Sequence, residues 1–136
     1  MIDLHCHLLP GIDDGPESLD EAIALAAHAV KSGITCAVLT PHVHIGRYEN
    51  DLSSIRRNLT KFQAELNRLK IALTLGLGGE VRLGAEIIDL VAENRIPFLG
   101  ECGGYKIMLL EFPHNYIPVG ADKFVDWLLK NRIRPL

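Results

Sequence analysis

Residues 1–7 read Met1-Ile2-Asp3-Leu4-His5-Cys6-His7. The apolar run Ile2–Leu4 has the length and character of a buried strand. Side chains two apart on a strand share a face, so His5 and His7 are predicted to project together from its C-terminal end. Two neutral imidazoles side by side make half of a metal site. Cys6, between them, points the other way, into packing. Whether the pair is a site or two unrelated histidines depends on what stands at the ends of the later strands.

Working outward, strand and helix signals alternate. A Gly-, Asp- and Pro-rich loop over 5–17 leads to Ser18 and Glu21, spaced as a capping box that starts a helix. Leu19, Ala22, Ile23, Ala26, Ala27 and Val30 form its apolar face, and Gly33 closes it. His28, on that helix, is predicted to be structural. The second strand is Thr35–Thr40, followed by Pro41-His42-Val43-His44. A helix over about 52–69 carries Ile55, Leu59, Phe62, Leu66 and Leu69 at helical spacing. Ile71–Leu77 is the third strand, closed by Gly78-Gly79-Glu80. A shorter helical piece covers 84–92, and Gly100–Gly104 reads as a turn. Tyr105–Glu111 is a fourth strand, 121–130 a helix, and Ile133–Leu136 the opening of a fifth strand. Repeated strand–helix units imply an α/β fold with parallel strands.

The 136 residues are 48% hydrophobic and 23% charged, with net charge -3, which predicts one globular domain. No basic footprint for nucleic acid and no apolar stretch of membrane-spanning length is present. The three cysteines, Cys6, Cys36 and Cys102, lack Cys-x-x-Cys spacing and read as small core residues of a cytoplasmic protein.

Polar residues collect at the strand ends. The first strand gives His5 and His7, with Asp13 and Asp14 in its loop. The second gives His42, with His44 nearby, the third Glu80 and the fourth Glu111. In parallel sheets these ends share one edge, where sites are built. Imidazoles and carboxylates together suit Mn, Fe or Zn, and paired metals about 3.5–4 Å apart are the usual arrangement for phosphoester hydrolysis. Glu111 ends a nearly unbroken apolar strand, where a charge is expensive unless it is paired or metal-bound. Arg47 and Arg82, together with His44, are candidate contacts for a phosphate or an acidic peptide.

The opening Met1-Ile-Asp-Leu-His-Cys-His-Leu-Leu-Pro-Gly-Ile-Asp-Asp-Gly-Pro16 resembles that of the bacterial capsular and exopolysaccharide tyrosine phosphatases, members of the PHP (polymerase and histidinol phosphatase) superfamily. Leu39-Thr-Pro-His42, Gly79-Glu80-Val-Arg82 and Leu110-Glu-Phe-Pro113 are similar to that family's next signatures, in order. The resemblance implies a distorted TIM-like barrel, of which this chain is the N-terminal portion, incomplete at the C-terminus. It implies His5, His7, Asp14, His42, Glu80 and Glu111 as ligands of up to three Mn2+, with Glu111 bridging two metals and Asp14 and His42 serving a third. It further implies a metal-bound hydroxide, and no side-chain nucleophile, attacking phosphotyrosine on the tail of a bacterial tyrosine kinase.

Two departures stand out. The family has a second histidine directly after the position of His42; Val43 stands there, with His44 one further on. The family's later His-Pro-Glu-Arg and Asp-x-His motifs, which supply further ligands and a phosphate-binding arginine, do not occur in these residues. Slow turnover and a tendency to oligomerise are therefore expected. The competing readings are a small-molecule phosphatase of the histidinol-phosphate kind and a non-catalytic metal-binding remnant.

Overall fold

The computed structural model describes residues 1–136. Its elements in chain order are β1 (Ile2–Cys6), α1 (Leu19–Lys31), β2 (Cys36–Leu39), β3 (His42–Val43), α2 (Leu52–Arg68), β4 (Thr74–Leu77), β5 (Glu80–Arg82), α3 (Glu86–Ala92), β6 (Gly100–Cys102), β7 (Tyr105–Glu111), α4 (Ala121–Lys130) and β8 (Ile133–Pro135). The Ser18–Glu21 capping box forms and starts α1. A second box forms between Asp51 and Ser54 at the head of α2.

The strands make two ladders, β1-β2-β4 and β3-β5-β7-β6, with β8 on β7. Pairing is parallel except between β6 and β7. Because β3 follows β2 and β5 follows β4 after two residues each, the two ladders run on from one another along the chain. The break at Pro41 has a plain cause: proline has no N–H to give a ladder. The break at Gly78-Gly79 admits a neighbouring loop, since a Cβ on Gly79 would meet Pro97 Cγ at 2.3 Å. Glu80 therefore opens a further strand segment, where the sequence had suggested only the closing residue of the third strand.

The predicted turn at 100–104 is a hairpin. Gly103 and Gly104 have φ of 59° and 76°, the conformation a two-residue hairpin turn requires, and β6 runs back antiparallel to β7 from Gly100↔Ile107 to Cys102↔Tyr105. Ile107 pairs with Gly100 on one edge and Arg134 on the other, so β7 is held from both sides.

Leu9, Leu39, Ile55, Leu66, Ile87, Ile96, Met108, Leu128 and Ile133 are fully buried within one continuous core. The core does not extend over β1. Ile2 and Leu4 are 64% and 54% exposed, against the expectation of a buried strand. β1 pairs only with β2, and its outward apolar positions meet no covering element. Cys102 is likewise exposed, not a core residue, because it lies beside the hairpin turn. No helix is long and apolar enough to cross a membrane.

Candidate metal centre

Register carries the side chains of four chain segments to one edge. His42 lies directly opposite Glu80, and Arg82 opposite Glu111, in the parallel ladder β3-β5-β7. β1 arrives from the side. A bulge between Asp3 and Cys6 inserts a residue into it, and the His5 N–H donates to Asp3 Oδ1 at 3.1 Å.

Three groups of ligand atoms result, each lying within 4.8 Å of one another: His5–His7–Glu80, His7–Asp14–His42 and His42–Glu80–Glu111. Glu80 Oε2 is the hub. It lies 3.4 Å from His5 Nε2, 3.3 Å from His7 Nε2 and 3.2 Å from His42 Nδ1. His42 Nδ1 also lies 3.4 Å from Glu111 Oε2, and His42 Nε2 lies 3.4 Å from Asp14 Oδ1. Glu80 and Glu111 are each only 12% exposed, whereas Asp14, on the loop, is 55% exposed.

These residues fit a divalent metal. His42 Nδ1 is buried and makes no hydrogen bond, although two carboxylate oxygens stand within 3.4 Å of it. Buried polar atoms normally find a partner. Nitrogen and oxygen donors gathered at these separations, and not joined by hydrogen bonds, match the spacing of ligands around a common ion.

The residues behind the cluster are as ordered as those in it. Asp13, whose side chain is fully buried, lies 2.7 Å from His7 Nδ1. Burial pushes its carboxyl up; the hydrogen bonds with His7 and from the N–H groups of Gly15 and His42 outweigh this and hold it below the usual range. The bond to Asp13 raises the His7 imidazole above its ordinary value despite burial, and the nearby charges of Asp13, Glu80 and Asp14 reinforce it. Arg82 Nη1 donates to Glu111 Oε1 at 2.5 Å and to the Phe112 carbonyl at 3.2 Å. The Asn50 amide donates to the Ile12 and His42 carbonyls, both at 2.9 Å, tying the loop after β1 to β3.

The remaining candidates are dispersed. His44 joins none of the three groups; it lines a cavity of about 240 Å³ with Val81, Arg82, Ile87 and Tyr116. Arg47 lies over the Tyr48 ring at 5.0 Å, and Tyr48 stacks on His42 at 5.4 Å and 8°. His28 is exposed on α1, away from the cluster. Cys6 turns to the Val38 carbonyl at 3.5 Å, and burial, with Asp3 nearby, pushes its thiol up to about 12. It offers no thiolate near neutral pH. His114 Nε2, 3.8 Å from Glu111 Oε1 and 79% exposed, is a rim residue that sequence reading missed. Its signal was faint: a loop histidine three places after the strand-ending glutamate.

The family profile for capsular polysaccharide synthesis proteins, CpsB/CapC, matches residues 1–118. This chain belongs to the CpsB/CapC family. It is 36% identical to CapC of Staphylococcus aureus over 118 residues, 87% of this chain and 45% of that protein. It is 34% identical to the tyrosine-protein phosphatase YwqE of Bacillus subtilis over 134 residues, 98% of this chain and 52% of that one. The fold matches a chain from the crystal structures of YwqE from Bacillus subtilis and CpsB from Streptococcus pneumoniae, described as metal-dependent tyrosine phosphatases. The TM-score is 0.87 at 30% identity, covering 99% of this chain and 53% of the other. The chain thus spans about half the length of the relatives it matches, with the candidate metal centre inside the matched region.

Proposed function

We propose that this chain carries the N-terminal metal-binding part of a phosphoester hydrolase, a protein-tyrosine phosphatase of capsule or exopolysaccharide synthesis that acts on the phosphotyrosine tail of a bacterial tyrosine kinase in the cytoplasm. The observation that carries this reading is the convergence of three ligand groups through Glu80 and His42. Family membership and the likeness to the tyrosine-protein phosphatase YwqE support it. Residues 1–136 would form one partial PHP domain of a TIM-like barrel; the uncovered apolar positions of β1 and the half-length match agree with that.

In this reading His5, His7, Asp14, His42, Glu80 and Glu111 hold up to three divalent ions, Mn2+ foremost. Bound there, such ions supply Lewis acidity toward phosphate oxygens and lower the pKa of water toward neutrality. The chain's own residues do the rest. Glu80 and Glu111 concentrate negative charge in a half-buried edge, which favours cations over free carboxylates. Arg82 holds one oxygen of Glu111 and leaves the other facing His42. Arg47, stacked above Tyr48, would receive an anionic substrate, as would His44 and Arg82, which line the neighbouring cavity. Cys6 takes no part in the attack.

The test is hydrolysis of a phosphotyrosyl peptide, para-nitrophenyl phosphate and histidinol phosphate by the Mn2+-loaded chain, with and without chelator and alongside His5→Ala. Slow, chelator-sensitive turnover that favours the peptide and is lost in His5→Ala is expected. Preference for histidinol phosphate would overturn the protein-phosphatase reading. Chelator-resistant turnover would overturn the metal-dependent one.

A further inference from the structure

We propose that Asp13 is a positioning residue: it fixes the tautomer of His7 and the backbone of His42, so that imidazoles from two different chain segments are aimed at the cluster before any ion arrives. The proposal rests on the metal-centre reading above.

Asp13 and Asp14 are chemically identical neighbours with opposite placements. The Asp14 carboxylate is 55% exposed beside His42, and the Asp13 carboxylate is wholly enclosed. A buried carboxylate is costly unless its oxygens are met by donors. Asp13 Oδ2 lies 2.7 Å from His7 Nδ1 and accepts the His42 N–H at 3.0 Å. Oδ1 accepts the Gly15 N–H at 3.0 Å. An ionised carboxylate has only lone pairs to offer, so the imidazole proton of neutral His7 must sit on Nδ1. Nε2 then keeps its lone pair, and Nε2 is the atom that faces the hub oxygen of Glu80, 3.3 Å away.

The second hold is on the main chain. The Oδ2 atom that orients His7 also anchors His42, 29 residues further on. The two rings are thereby kept 4.7 Å apart between centroids. One carboxylate behind the cluster sets a ring orientation on the segment after β1 and a backbone position on β3. Carboxylates placed behind ligand histidines fix tautomer and basicity, and losing one costs about 10- to 100-fold in metal affinity.

The experiment reads the His7 tautomer directly. Long-range proton–nitrogen correlation on the metal-free, 15N-labelled chain, at a pH where the histidines are neutral, distinguishes Nδ1–H from Nε2–H. The wild-type chain should show His7 as Nδ1–H. Asp13→Ala, which removes both acceptor oxygens, should release His7 toward Nε2–H and weaken Mn2+ binding by about 10- to 100-fold, followed by the electron paramagnetic resonance signal of free Mn2+. Asp14→Asn should leave the His7 tautomer unchanged. A wild-type His7 protonated on Nε2 overturns the proposal whether or not Asp13→Ala folds. So does an Asp13→Ala chain with unchanged tautomer and unchanged Mn2+ affinity. If the wild-type chain binds no Mn2+, the metal-centre reading falls, while the tautomer measurement, made without metal, still decides whether Asp13 sets the ring.

Discussion

The two margins of the sheet are built differently. At the site edge His7, His42, Glu80 and Glu111 are 21% exposed or less, with Asp13 held behind His7 and Arg82 behind Glu111. Along the lateral edge β1 shows Ile2 and Leu4 to solvent. Polar groups are thus enclosed where apolar ones are bare, the reverse of the usual economy of burial. The site edge is organised by directional contacts that need only neighbouring strand ends. The flank would need a covering layer, which the strands and helices of residues 1–136 do not provide.

The largest effect that would sharpen this contrast lies one strand inward. Leu39 on β2 is fully buried, and Leu39→Ala should cost about 2–5 kcal/mol of stability in urea unfolding. A cost under about 1 kcal/mol would mean that the core stops short of β2.

Next comes the hub. Glu80→Ala removes the oxygen on which three imidazoles converge and should weaken Mn2+ binding at least about 100-fold, the top of the range for residues that merely support a ligand. Unchanged affinity would break the distinction between an organised edge and an unorganised flank.

A smaller effect calibrates both margins with a contact that belongs to neither. Asp51 caps α2, accepts from the Ser54 N–H and pairs with Arg95 at 3.1 Å. Asp51→Ala should cost about 1 kcal/mol near neutral pH. Its pKa is lowered in the fold: burial pushes it up, but the Ser54 N–H and Arg95 outweigh this. A depressed folded pKa stabilises above the unfolded value and loses that contribution as pH falls through the folded one. The difference between wild type and Asp51→Ala should therefore be complete well above pH 3.8 and shrink below it. A difference that persists at pH 2 would locate the effect elsewhere.

The smallest expected change is on the flank itself. Leu4→Ser should alter stability by no more than about 0.5 kcal/mol, as at ordinary surface positions. A loss above 1 kcal/mol that depends on protein concentration would reveal that self-association covers β1 in solution.

Much of this was legible from local pattern. The capping box at Ser18 and the apolar spacing of α2 depend on residues three or four apart, and helices Leu52–Arg68 and Ala121–Lys130 formed where the spacing placed them. The His-x-His pair was legible because strand alternation has a period of two. The β6–β7 hairpin was missed although Gly103-Gly104 is a two-residue turn signal, because a three-residue strand has too few positions to show a period. The exposure of Ile2 and Leu4 was missed because apolar character says that a strand can be buried, not that something lies over it.

The sequence by itself determined which residue types stand at the strand ends: imidazoles at 5, 7 and 42, carboxylates at 13, 14, 80 and 111. It also determined that parallel strands would bring those ends to one edge. The family resemblance pointed to Asp14; only the tertiary structure gave Asp13 its place, sending it into the interior behind His7 and leaving Asp14 in the open beside His42. It alone joined Arg82 to Glu111 and stacked Tyr48 on His42. Those contacts depend on register and on the paths of loops, and they join positions up to 29 residues apart. Periodicity is a property of neighbours in the chain, whereas a site is a property of neighbours in space.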